Sequence, residues 1–376
     1  MWIYEEKDWP NFIWNNETIL PLLAEARHQQ GRLLGKVEEL GFAVRQEATL
    51  DILTADVVTS SAIEGERFDT DEVRSSIAGK LGIPLPREVA VGRGVDGMVE
   101  MMLDAVQNCR KPLTAERLFG WHAALFPTGR SGMHRITVAG WRVAEAGAMQ
   151  VVSGPIGHEK VHYEAPEASM LDAEMTKFLL WFEAKLSLDP VIKAGIAHLW
   201  FVTLHPFEDG NGRIARAISD MVLARADGTS GRFYSMSRQI ENERREYYTR
   251  LERQQRGGLD ITPWLLWFLT CFSHAVDDAE STLALVLFKA RLWNFISQFR
   301  INKRQTLMIS RLLDGFEGKL TTSKYAKITK CSPDTALRDI RELVAQNIFV
   351  QNPGGGRSTS YRLITADEVK YFLRES

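Results

Sequence analysis

Apolar positions along most of this chain recur every three to four residues, the spacing of a helix with one buried stripe. "ETILPLLAEARHQQGRLLGKVEELGF" and "QEATLDILTADVVTSSAIEGE" carry it first, and the second stops at Gly65, a helix-ending residue. "LGIPLPREVAVGRG" gathers Pro and Gly and reads as a connection. "VDGMVEMMLDAVQN", "TAERLFGWHAALF" and "MLDAEMTKFLLWFEAKL" then give further amphipathic helices. The apolar run "VIKAGIAHLWFVTL" predicts a buried helix ending near His205, because Pro206 disfavours helical geometry in the residue before it. One stretch alternates instead. In "AMQVVSGPIGHEKVHYEAP", Val151 and Val152, then Val161 and Tyr163, flank a loop containing Gly154, Pro155 and Gly157, which predicts a β-hairpin.

The pattern changes from Ile301 onward. "KRQTLMISRLLDGF", "TTSKYAKITK" and "SPDTALRDIRELVAQN" read as three helices, the last with Ser332 as N-cap and Pro333 at its first position. "IFVQNPGGGRSTSYRL" follows as two short strands around a Gly-rich tip. Three helices and a hairpin are the order of a winged helix-turn-helix, with Asp334 to Gln346 as recognition helix and Arg357 on the wing. A small packing or dimerisation module fits the same order. Asp334, Asp339 and Glu342 on the third helix oppose phosphate contact.

Charge sharpens this division. The 376 residues carry 46 basic and 48 acidic side chains, so nothing draws the whole molecule to nucleic acid or a membrane. Residues 301–376 hold 13 basic against 8 acidic groups, leaving the remainder acidic. The amino terminus lacks the pattern of a signal peptide and no apolar run reaches membrane-spanning length, so the expectation is a cytoplasmic protein without membrane association. Cys109, Cys271 and Cys331 lie far apart without metal-ligand spacing, which fits a reducing compartment.

Candidate chemistry concentrates in "HPFEDGNGRIAR", residues 205–216. "EDGNG" is a tight loop feeding a helix whose periodicity resumes in "ARAISDMVLARA", and unpaired N–H groups at such a helix start make an anion site. Gly210 and Gly212 let a phosphate approach the backbone. Arg213 and Arg216, three apart, share a face and offer two guanidinium forks. Asp209 supplies a hard oxygen for Mg²⁺. No Lys-Ser/Thr follows the second glycine, so this is not a Walker loop. His205 adds a base that can take a proton from an attacking hydroxyl. Upstream, in "SSAIEG", Glu64 ends a helix where its carboxylate faces the negative end of the dipole, with Ser60 one turn earlier on the same face.

The loop fits H-x-F-x-D/E-G-N-G-R-x-x-R at every defined position and so resembles the Fic family, with the resemblance extending over about residues 85–255. It implies a mainly α fold: a Fic-type helical core with one β-hairpin flap, an N-terminal helical extension (1–84) and a helical connector (256–300) before the winged-helix-like region (301–376). Most such proteins transfer AMP from ATP to a hydroxyl of a target protein. Carried over, His205 is the general base and Asp209 the Mg²⁺ ligand. Asn211, Gly210 and Gly212 hold the α- and β-phosphates, Arg213 holds the distal ones, and Phe207 anchors the loop. Asn242 and Tyr248 sit where relatives line the adenine and ribose pocket. Residues 149–163 match the flap that receives an extended target segment. S-x-x-x-E-G resembles the family's inhibitory helix, which implies that Glu64 pairs bidentately with Arg216 and crowds the distal phosphate away from Arg213. Other Fic reactions, and a DNA-binding regulator with a nucleotide-sensing core, stay open. A homodimer is compatible with the sequence, which does not set the oligomeric state.

Overall fold

The structure, a computed structural model, describes all residues except 39, 86, 145–147, 155–157, 159, 229–231, 314–315, 317, 354–358 and 376, and the side chains of 43, 370 and 372–375. The tip of the expected flap at Pro155 and Gly157, and the wing residue Arg357, therefore lie outside the described residues. The chain forms two compact units, Met1–Ser281 and Thr282–Ser376. The fold is mainly helical, as the periodicity predicts.

In the first unit, α1 (Asn16–Glu38), α2 (Phe42–Ile63), α3 (Thr70–Leu81), α4 (Arg93–Gln107) and α5 (Ala115–Leu125) precede two hairpins. The first hairpin is β1 (Arg130–Ser131) with β2 (His134–Arg135), which the sequence reading missed; the second is the expected β3 (Gln150–Ser153) with β4 (Lys160–Glu164). Next come α6 (Leu171–Glu183), α7 (Pro190–Leu204), α8 (Asn211–Asp227), α9 (Met236–Asn242), α10 (Arg244–Gln255) and α11 (Thr262–Ile296), within which the two units divide. α3 was also overlooked, although Asp69 caps its start by accepting from the Asp71 and Glu72 N–H groups and left-handed Gly82 ends it.

Helix α7 is the centre of this unit. Its sequence has no polar face, so it must be surrounded, and residues 194–204 are all buried. Asp189 caps it and Pro190 fits the first turn. It packs along α8, with α6 on another side. Helix α2 contacts α3, α4, α8 and α9. Polar bonds fix it there. The Asp56 carboxylate accepts from Ser235 Oγ at 2.5 Å, and Asp220 of α8 pairs with Arg232 at 2.7 Å, all in the interior. From α1, Gln30 donates to Asp227 and to the Tyr234 hydroxyl.

The second unit carries α12 (Lys303–Leu313), α13 (Thr322–Thr329), α14 (Pro333–Ala345), the antiparallel pair β5 (Phe349–Gln351) and β6 (Tyr361–Leu363), and α15 (Ala366–Glu375), which was not anticipated. Met308, Tyr325, Ile340, Leu343 and Phe349 are in its core. Ser332 caps α14 through the Thr335 N–H, with Pro333 in the first turn as expected. Asp339, expected from the sequence to oppose phosphate contact, points inward, where Arg304 grips it at 2.8 and 3.0 Å. Among the described residues no helix is long and apolar enough to cross a membrane.

Candidate active site around the loop between α7 and α8

His205 ends α7 with φ 48° and ψ 56°, a left-handed conformation that costs a non-glycine residue about 1–2 kcal/mol. Surrounding bonds hold it there. Its N–H reaches the Phe201 carbonyl, and its own carbonyl accepts from Arg142 Nε at 2.9 Å. Arg142 also donates to the Pro166 carbonyl through Nη2, and its backbone N–H bonds the Pro206 carbonyl. One buried arginine thus braces the chain on both sides of the imidazole. The ring's Nδ1 faces the Val202 carbonyl at 3.3 Å. Burial, helped by the Arg142 charge, holds the imidazole down at about 4, against the opposing pull of the Val202 carbonyl, Glu64 and Asp209. It is neutral at pH 7, the state a proton acceptor needs.

The loop is bracketed by Asn211. Its Oδ1 accepts from the Phe207 N–H at 3.0 Å and its Nδ2 donates to the Phe207 carbonyl at 2.8 Å. The sequence reading gave this side chain to a phosphate. Here it is buried and bound to the Phe207 peptide, so it shapes the turn, and one Nδ2 hydrogen is not taken by that peptide. Phe207 is fully buried and stacks on His122 at 4.2 Å with planes 9° apart. Burial lowers the His122 ring to about 4, so a neutral imidazole forms the floor of the loop. Beside it, the Phe126 ring lies where a Cβ on left-handed Gly210 would fall, 2.9 Å away. None of the floor residues on α5 was singled out from the sequence. A histidine within an amphipathic helix carries no signal until its neighbour across the fold is known.

Gly210 caps α8, and the free N–H groups of that first turn create a positive helix end. Arg213 and Arg216 project from it and are 3% and 1% exposed. Both are engaged. Arg216 donates to Ser60 Oγ at 2.9 Å and to the Ser60 carbonyl at 2.8 Å, and its Nη2 lies 2.9 Å from Glu64 Oε1. The contact with Glu64 is single rather than the bidentate one expected, because Ser60 takes Nε and shares Nη2 while Nη1 has no hydrogen-bond partner. The Glu64 carboxylate lies over Gly212, where any Cβ would collide with it. Arg213 stacks over Phe126 at 5.1 Å and gives Nη1 to Glu66 Oε2 at 2.8 Å, with Asp209 farther off at 3.8 Å. Glu66 was not foreseen.

Asp209 accepts from the Gly210 N–H at 2.6 Å and from Ser131 Oγ of β1. Together with Arg135, Arg142, Met149 and Glu208 it lines a cavity of about 310 Å³ that reaches toward the start of β3. Tyr163 anchors β4 through its hydroxyl to the Thr203 carbonyl at 2.6 Å. Tyr248 donates to the Ile63 carbonyl at 3.1 Å, at the end of α2, whereas Asn242 lines a separate cavity of about 500 Å³ with Arg245 and Thr249. The structure therefore gathers His205, Asp209, Gly210, Gly212, Arg213, Arg216, Ser60 and Glu64 at one place, with Tyr248 at its edge. The cavity lined by Asn242 does not include Tyr248.

A helix start with two buried guanidiniums and a neutral base beside it is equipped for an anion and a proton transfer. In comparison with known proteins, residues 112–223 match the Fic/DOC family. The chain carries a Fic domain. Residues 2–83 match a domain of unknown function, DUF4172. The "Protein adenylyltransferase fic-1" of Caenorhabditis briggsae is 31% identical over 129 residues, 34% of this chain and 24% of the relative. The "Protein adenylyltransferase Fic" of Nematostella vectensis is 31% identical over 114 residues, 30% of this chain and 25% of the relative. The match thus spans about a quarter of each of these proteins. A Fic family protein from Desulfovibrio desulfuricans shares the fold with a TM-score of 0.55 at 20% identity, covering 94% of this chain and 97% of that one. A Fic domain containing signaling protein from Bacteroides thetaiotaomicron has a TM-score of 0.51 at 17% identity, covering 71% and 97%.

Proposed function

We propose that this Fic protein is a protein adenylyltransferase, moving AMP from ATP to a hydroxyl of a target protein, and that Glu64 holds it inactive. The observation that carries this reading is the neutral His205 imidazole, braced by Arg142 beside a helix start bearing two buried arginines. In the transfer, His205 takes the proton of the target hydroxyl as its oxygen bonds the α-phosphorus, and pyrophosphate departs with the electrons of the broken P–O bond. The backbone of Gly210 and Gly212 and the two guanidiniums would hold the phosphates. Among the described residues no cluster of three or more ligating side chains could cage a metal, but the single Asp209 carboxylate fits an ion shared with substrate phosphates. Mg²⁺ held in that way would neutralise phosphate charge. The exposed strand β3 suits pairing with an extended target segment, since Arg256 already takes the Val161 and His162 carbonyls of β4.

His205→Ala is expected to abolish label transfer from α-labelled ATP to protein while changing ATP affinity less than about twofold, because the base acts on the acceptor and not on the nucleotide. Full transfer by that variant would remove the imidazole from the chemistry.

A further inference from the structure

The turn after α2 presents two acids, and only the first answers to the inhibitory pattern. We propose that Glu66 is a second, separate gate, which occupies Arg213 while Glu64 occupies Arg216, so that the distal phosphates of a nucleoside triphosphate must displace Glu66 to reach Arg213.

The geometry comes from one helix end. Gly65 is left-handed at φ 87°, its N–H bonds the Ala62 carbonyl at 2.9 Å, and the Glu66 N–H returns to the Ser61 carbonyl at 3.1 Å. These two bonds are those of a Schellman turn, which fixes the residue two places beyond the cap as firmly as the cap itself. Glu64 is that cap and Glu66 is that second place. Arg213 and Arg216 are three apart on α8, so their guanidiniums stand side by side and the two acids meet one each. Arg213 cannot avoid its partner cheaply. It is 3% exposed, its Nε has no hydrogen bond, and its nearer carboxylate is that of Glu66 at 2.8 Å, with Asp209 at 3.8 Å. Glu66 itself is 45% exposed, so it can swing into water when a phosphate takes its place. Glu64 is more enclosed, at 29%, and lies against Gly212. The two gates therefore differ in hold: an outer one that yields to a competing anion, and an inner one that keeps the site closed.

This deepens the proposed transferase reading and rests on it for the identity of the ligand. The test uses the full chain as parent, Glu66→Gln, Glu64→Gly and the double variant. Each is measured for affinity toward ATP and AMP with Mg²⁺, and for labelling of protein from α-labelled ATP. Freeing a partly exposed, charge-assisted contact is expected to tighten ATP by about threefold to tenfold in either Glu64 background. AMP, which has no distal phosphates for Arg213, should change less than about twofold. A Glu66→Gln chain that binds ATP within twofold of its parent in both backgrounds overturns the proposal, as does equal tightening of AMP. The two readings can fail separately. If Glu64→Gly labels no protein while Glu66→Gln still tightens ATP selectively, transfer is wrong and the second gate stands. Strong labelling by Glu64→Gly with ATP affinity unmoved by Glu66→Gln gives the reverse.

Discussion

Glu64→Gly should make the protein more active and less stable at once, and both magnitudes follow from the geometry around Arg216. The variant removes one carboxylate contact of 2.9 Å to a guanidinium that is 1% exposed. Contacts of this charged kind contribute about 1.5–3 kcal/mol, the upper part when the partner is left buried without compensation. Arg216 stays in place without Glu64, because Ser60 still accepts from Nε and Nη2. Nη1 and the Nη2 hydrogen released by Glu64 are then free for a phosphate, and the space over Gly212 opens. Lifting a closed state worth that much raises the competent population by about tenfold or more. Labelling of protein from α-labelled ATP at saturating nucleotide should rise at least about tenfold, while ATP affinity changes much less. Loss of the same contact should lower the unfolding midpoint by several degrees, at about 2–4 °C per kcal/mol for a unit of this size. Glu64→Gln, which keeps the shape and removes the charge, should fall between the two. The reasoning is refuted if Glu64→Gly and the parent label protein at the same rate.

Arg142→Ala removes the bonds to the His205 and Pro166 carbonyls, and should lower the transfer rate by about ten- to a hundredfold with ATP affinity nearly unchanged; a rate within twofold of the parent would show that the brace is dispensable. With His205 held at about 4, labelling should stay flat from pH 8 down to pH 6 and fall only toward pH 4, so a halving between pH 7 and pH 6 would contradict the assigned base. His122 and His198, lowered by burial to about 4 and about 3, bind fewer protons folded than unfolded. Their contribution is therefore intact above pH 6.5 and lost as pH falls toward those values, about 2 kcal/mol each by pH 5, which denaturant titrations at pH 7 and pH 5 would measure.

What could be read from the sequence divides along physical lines. The α7–α8 loop was legible because polar residues with distinct chemistry interrupt two apolar runs, and its helix start follows from Pro206 and the two glycines alone. Helix α14 was legible because Ser332 and Pro333 act on their own neighbours. Pairings across the fold were not. Glu66 and Arg213 are 147 residues apart, and the only local sign of their meeting is an acid two places beyond a helix-ending glycine. Asn211 could serve a phosphate or a backbone equally well until the Phe207 peptide was seen to lie within its reach. Asp339 looked like a surface acid because its partner Arg304 belongs to another helix. The strands β1 and β2 are two residues each, too short for any alternation to appear.

The anchoring of α2 has a further consequence. Its Asp56 is bonded to Ser235, and its flanks pack on α3, α4, α8 and α9, so the helix that carries both acids is also a wall of the core. An inhibitor built as a separate lid can be clipped away or fall off, leaving an unrestrained enzyme behind. Here damage severe enough to detach the helix also strips the core that shapes the loop, so under the proposed reading an injured molecule would lose the transfer site together with its restraint. Changes confined to the stretch from Ser60 to Glu66 would free the Arg213 and Arg216 guanidiniums and leave the rest standing. On the proposed reading, unrestrained transfer is thus a narrow target for random mutation, and most damage would leave the molecule silent.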